Sequence, residues 1–117
     1  MNSMTTISTH VLDTSLGTPA ANVSVTLDRI DAHGAWNRIS NNVTNDDGRV
    51  AALAPGNGAL PGGSYRLTFD VAAYFAQTMR TSFYSMISIN FEVADEPQHY
   101  HVPLLLTPFG YSTYRGS

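Results

Sequence analysis

His99 and His101 stand two residues apart, and in an extended strand that spacing sends both imidazoles to the same face. Paired imidazoles can chelate a metal or move protons, and the residue types around them decide which. A complete set of ligands at metal spacing is not evident: the chain has no cysteine, and its other two histidines lie far off at His10 and His33. The expectation is that neither a metal nor another cofactor is used. A serine nucleophile is a weaker idea, because no Gly-x-Ser-x-Gly elbow occurs and Ser112 and Ser117 have no activating base beside them in sequence. What remains is histidine acting on water directly. That chemistry needs an imidazole with a pKa near working pH and a carbonyl held by a cation, for which Arg49, just after a turn, is available. Taken singly, each histidine also fits an ordinary hydrogen-bonded structural role.

Strands must carry these groups. Val23, Val25 and Leu27 alternate with Ser24, Thr26 and Asp28, while Ile87, Ile89, Phe91 and Val93 alternate with Ser88, Asn90 and Glu92, so both segments read as strands with one buried face. Residues 5–12 (holding His10), 36–44, 49–53 (opening with Arg49), 64–69 and 99–106 (opening with His99) are further strands, with 111–115 as a short last one. Turn formers separate them: Gly17-Thr18-Pro19, His33-Gly34, Asn45-Asp46-Asp47-Gly48, Pro55-Gly56-Asn57-Gly58, Pro61-Gly62-Gly63, Asp95-Glu96-Pro97 and Pro108-Phe109-Gly110. About eight short strands predict an all-β sandwich. One short helix interrupts it at about 71–80, where Val71, Tyr74, Phe75 and Met79 fall at helical spacing and Asp70 can cap the start. The Gly- and Pro-rich stretch from Ala54 to Gly63 reads as a mobile loop. Leu104-Leu105-Leu106 breaks the alternation, either because both faces are buried in the core or because another subunit covers the second face.

At 117 residues the chain suits one domain, 1–117. An apolar share of 43% against 13% charged residues excludes intrinsic disorder, and the absence of cysteine leaves stability to packing. All six basic residues are arginines, spread singly against nine acids for a formal charge of -3, so the clustered cations that phosphate-backbone binding needs are missing and nucleic acid is not an expected partner. The opening Met1-Asn2-Ser3-Met4-Thr5-Thr6 shows no positive n-region and leads into no long apolar run, which predicts no signal peptide, no membrane span and a cytoplasmic location.

The stretch from His99-Tyr100-His101-Val102-Pro103 through Leu104-Leu105-Leu106-Thr107-Pro108-Phe109-Gly110-Tyr111-Ser112-Thr113 to Tyr114-Arg115-Gly116-Ser117 closely resembles the 5-hydroxyisourate hydrolases of the transthyretin-related family. Ser8-Thr9-His10-Val11-Leu12-Asp13-Thr14 with Gly17-x-Pro19-Ala20 is similar to that family's opening signature, and Asp47-Gly48-Arg49 to its middle one. The resemblance spans nearly the whole chain. Its Asp-x-x-x-Gly-x-Pro and Gly-x-Tyr-x-Leu segments are turn and strand chemistry common to many sandwiches. The discriminating residues are His10, Arg49, the His-x-His pair and the terminal Tyr-Arg-Gly-Ser. Transthyretin, a hormone carrier, is similar in outline but lacks that terminal signature. One departure is visible: relatives usually carry Pro-Glu before the strand that here follows Ser85-Met86.

The resemblance implies a two-sheet, transthyretin-like sandwich assembled as a homotetramer, a dimer of dimers, with active sites in a channel between subunits. It assigns His10, Arg49, His101 and Ser117 to catalysis, and Tyr114, Arg115, Gly116 and His99 to the substrate pocket. The implied reaction is hydrolysis of 5-hydroxyisourate to 2-oxo-4-hydroxy-4-carboxy-5-ureidoimidazoline in urate breakdown. His10 or His101 would deprotonate water, Arg49 would steady the carbonyl oxygen, and the Ser117 hydroxyl or terminal carboxylate would orient water or an imidazole. Two other classes stay open: a carrier binding a small aromatic ligand in the channel, and a structural module of a larger assembly.

Overall fold

The computed structural model describes residues 4–54 and 60–117. Among the described residues nine strands and one helix follow in chain order: β1 (Thr6–Asp13), β2 (Thr18–Pro19), β3 (Ser24–Ile30), β4 (Trp36–Val43), β5 (Arg49–Val50), β6 (Gly63–Asp70), α1 (Val71–Gln77), β7 (Met86–Val93), β8 (His99–Thr107) and β9 (Gly110–Thr113). The expected sandwich is therefore present, and each expected strand has a counterpart. The turn at Pro55 to Gly58, half of the Ala54 to Gly63 loop and the residues Met1 to Ser3 lie outside the described residues.

Two sheets form. One runs β2-β1-β8-β9, with β5 sharing the β2 edge of β1; the other runs β4-β3-β6-β7. Every pairing is antiparallel except β1 with β8, which run parallel over eight residue pairs from Thr6–His99 to Asp13–Leu106. The period-two pattern explains the core: Ile7 and Val11 from β1, Leu104 and Leu106 from β8, Leu27, Leu67, Phe69 and Ile87 from the second sheet all turn inward and are fully buried. Leu105 faces the other way and is half-buried, so the leucine run keeps its alternation and leaves apolar surface on the outer face of the first sheet.

The structure differs locally from expectation in three places. The helix stops at Gln77, not near Arg80. Arg80 N–H donates to Phe75 O at 2.8 Å and Met79 N–H to Ala76 O at 3.1 Å, with Met79 left-handed at φ 58, the hydrogen-bond pattern of a Schellman stop. The Arg80 side chain is thereby released to reach Asp13. The strand expected at 49–53 shrinks to Arg49–Val50, and two-residue β2 carries too few positions to show any alternation in sequence. As expected, Asp70 caps the helix, its Oδ1 accepting from Ala73 N–H at 3.2 Å.

Candidate active site

The outer face of the first sheet gathers most of the reactive groups. On β1 the outward residues are Thr6, Ser8, His10 and Leu12; on β8 they are His99, His101, Pro103 and Leu105. Parallel pairing sets Thr6 opposite His99 and Ser8 opposite His101. The two imidazoles lie nearly parallel, with ring centroids 6.4 Å apart. Ser8 Oγ sits between them, 2.7 Å from His101 Nδ1 and 3.2 Å from His99 Nε2, and Thr6 Oγ1 lies 2.5 Å from His99 Nδ1.

Arg49 arrives from the opposite edge of β1. The Asn45 side chain accepts from Asp47 N–H at 2.9 Å and Arg49 N–H at 3.0 Å, closing a tight turn. Gly48 takes φ 73 there, and a Cβ on it would meet Val11 O at 2.4 Å, so only glycine lets the turn lie this close to β1. Arg49 then pairs with His10, which is half-buried, while Arg49 itself is exposed.

The C-terminal residues come from the third side. Extending the β8–β9 register past Leu104–Thr113 sets Pro103 opposite Tyr114, where proline has no N–H to give, and the ladder breaks. It resumes two residues on at a bridge between His101 and Gly116, with Gly116 N–H donating to His101 O at 2.7 Å. Gly116 packs flat on the imidazole: a Cβ there would lie 2.6 Å from His101 Cδ2. His101 is thus held with Nδ1 toward Ser8 and its Cδ2 edge toward Gly116, and among the described residues Nε2 has no hydrogen-bond partner.

These groups enclose a cleft of about 280 Å³ lined by Ser8, Thr9, Arg49, Val50, Ala51, His99, His101 and Ser117. Burial first, then the charge of Arg49, then His99 and His10, hold the His101 imidazole below its ordinary pKa. A neutral imidazole with a free Nε2 is equipped to accept a proton from water. Among the described residues no three histidine, cysteine or acidic side chains come together as a metal set, and no helix is long and apolar enough to cross a membrane.

Of the residues expected at the site, Arg49, His99, His101 and Ser117 line the cleft, His10 and Gly116 adjoin it, and two stand elsewhere. Tyr114 and Arg115 line a separate apolar cleft at the open edge of the sandwich, with Ile89, Phe91, Tyr100 and Val102. The cause is the ladder break: beyond Pro103 the chain passes over the sheet edge, where Arg115 stacks 4.6 Å from the Tyr100 ring and donates to Gln98 Oε1 at 2.9 Å and His99 O at 3.3 Å. Ser8 and Thr6 were not singled out from sequence. Their hydroxyls recur in phase with the histidines, but that phase has meaning only once β1 and β8 are known to pair in parallel.

Comparison with known proteins follows the same lines. The profile of the HIUase/Transthyretin family matches residues 7–116. A 5-hydroxyisourate hydrolase of Deinococcus radiodurans is 45% identical over 114 residues, covering 95% of each chain. The solved 5-hydroxyisourate hydrolase of Klebsiella pneumoniae superposes with a TM-score of 0.83 at 43% identity, over 96% of this chain and 99% of that one. Sea bream transthyretin in complex with thyroxine superposes with a TM-score of 0.88 at 32% identity, over 94% of this chain and 93% of that one.

Proposed function

The chain belongs to the HIUase/transthyretin family, and from that premise we propose that residues 1–117 form one hydrolase domain that opens 5-hydroxyisourate in urate breakdown. The observation that carries this reading is the convergence of His101, His99, Arg49 and Ser117 on one cleft, with His10 beside them. A carrier has no need of a depressed, hydrogen-bonded imidazole beside a guanidinium.

In this reading His101 Nε2 takes a proton from a water whose oxygen attacks a ring amide carbonyl, with His10 the other candidate for that role. Arg49 binds the carbonyl oxygen and steadies the negative charge that forms there. The carbon–nitrogen bond of the ring then breaks, and the proton returns to the departing nitrogen. Ser117 orients the water or the imidazole. The product is 2-oxo-4-hydroxy-4-carboxy-5-ureidoimidazoline. Tyr114 and Arg115 act by fixing the course of the C-terminal residues, and Gly116 by its fit against His101.

The reading extends to a cytoplasmic homotetramer, a dimer of dimers, in which the outer face of the first sheet borders a channel between subunits. Half-buried Leu12 and Leu105 on that face supply apolar surface for a partner to cover. The deciding experiment follows the ultraviolet absorbance of freshly made 5-hydroxyisourate. Purified protein should speed its decay, whereas a carrier of the same fold would leave it at the uncatalysed rate and bind a small aromatic molecule without turnover.

A further inference from the structure

Thr6, His99, Ser8 and His101 form an unbroken line of alternating hydroxyls and imidazoles, with distances of 2.5, 3.2 and 2.7 Å along it. The line runs outward. His101 is half-buried in the cleft and Ser8 is buried, whereas His99 and Thr6 are exposed. A hydroxyl between two ring nitrogens donates to one and accepts from the other, so only two directions of the chain satisfy every atom. The direction that leaves His101 Nε2 as a bare acceptor has His101 Nδ1–H donating to Ser8 Oγ, Ser8 O–H donating to His99 Nε2, and His99 Nδ1–H donating to Thr6 Oγ1.

We propose that Ser8 and His99 form a proton relay that takes the positive charge off His101 during water attack and returns it when the ring opens. This rests on the hydrolase reading above. As water loses a proton to His101 Nε2, the Nδ1 proton of His101 passes to Ser8 while Ser8 passes its own proton to His99 Nε2. Ser8 is neutral before and after. His99 becomes the imidazolium, at a position water can solvate, and His101 is left neutral with its proton on Nε2. That is the tautomer able to protonate the departing ring nitrogen. When it does so, the relay runs backwards, Nδ1 of His101 is reprotonated and the starting state is restored.

The relay answers a problem the cleft creates. Burial and the nearby Arg49 guanidinium both penalise a charged His101, and among the described residues no acidic side chain lines the cleft to offset them. A carboxylate behind the histidine would do so by holding the charge in place; here the charge is moved 6.4 Å outward instead. Ser8 is a positioning and relay residue. It lines the cleft, but its hydroxyl lies between the two imidazoles, 2.7 Å from His101 Nδ1 and 3.2 Å from His99 Nε2.

The test combines kinetics with nitrogen-15 spectra of the histidine rings. Ser8→Ala and His99→Gln should each lower kcat on the order of tenfold, less than the roughly hundredfold or more expected on losing the base, with KM within about twofold. The double variant should be no slower than the slower single one, because both cut the same line. Ser8→Thr, which keeps the hydroxyl, should restore kcat. In the unmodified protein the resting His101 should carry its proton on Nδ1, and Ser8→Ala should abolish that preference. Additive losses, a change in KM alone, or a resting His101 protonated on Nε2 would overturn the relay. His99 is exposed, so His99→Gln remains informative even where Ser8→Ala folds poorly. The spectra need no substrate: absent turnover with the expected tautomers defeats the hydrolase reading alone, and turnover with the opposite tautomer defeats the relay alone.

Discussion

At the scale of single residues, the arrangement around His101 makes three changes informative. His101→Ala should keep the fold and lose about a hundredfold to ten-thousandfold in kcat, measured by the ultraviolet assay. Gly116→Ala inserts a methyl group 2.6 Å from His101 Cδ2; the ring must swing away, and misplacement on this scale costs up to about a hundredfold in rate without touching stability greatly. Arg49→Met removes a cation that helps hold the His101 pKa down, so that pKa should rise, as read from the ring protons across a pH titration. A value that stays put or falls would show that Arg49 does not face the imidazole in solution. Much of this was legible in the sequence. Two histidines at strand spacing announce a shared face whatever their neighbours are, and Arg49 after a turn announces a free cation. Ser8 announces nothing, because its partners lie more than 90 residues away, and proline's missing N–H matters only once the strand opposite Pro103 is known.

Elements show the same division between local and long-range signals. The alternation in β3 and β7 and the cap at Asp70 are local, and they were readable; the end of α1 was not, because the left-handed turn that stops it falls on Met79, where no glycine or asparagine marks it. Asp13, fully buried at the end of β1, accepts from Tyr74 Oη at 2.7 Å, Arg80 Nη2 at 2.5 Å and Ser15 Oγ at 2.6 Å. Burial alone would raise its pKa, but the Arg80 bond, then those from Ser15, Tyr74 and Leu16 N–H, outweigh that and bring it to about 2. A carboxylate whose pKa is lower in the folded chain stabilises it above the unfolded value of 3.8, and that stability fades as pH falls toward 2. The contribution is about 2 kcal/mol near neutrality. Asp13→Asn should therefore cost on that order at pH 7 and flatten the acid side of the stability curve, as seen in denaturant titrations at several pH values. Met79, left-handed and almost wholly exposed, points the other way: Met79→Gly should stabilise by about 0.5–1 kcal/mol, since a side chain gains nothing there and strains the backbone.

For the whole molecule, the outer face of the first sheet carries both the cleft and the half-buried leucines, so catalysis and assembly should depend on each other. Light scattering should give four times the 12.7 kDa of one chain, and Leu105→Glu, nearly neutral in a lone chain, should lower that mass and the activity together. The sandwich class was legible from strand count and turns, but the pairing of β1 with β8 was not, because no local pattern specifies a partner some 93 residues distant. That distance also shapes the life of the nascent polypeptide. At about 5–20 residues per second, translation leaves β1 without its β8 neighbour for on the order of ten seconds, during which its open edge can recruit the wrong strand. Thr6, Ser8 and His10 make the outward side of that waiting strand polar. These polar groups, of which Ser8 later lines the cleft and His10 adjoins it, should thus guard the waiting strand against aggregation, and replacing them with apolar residues should depress the yield of folded protein during synthesis before any rate is measured.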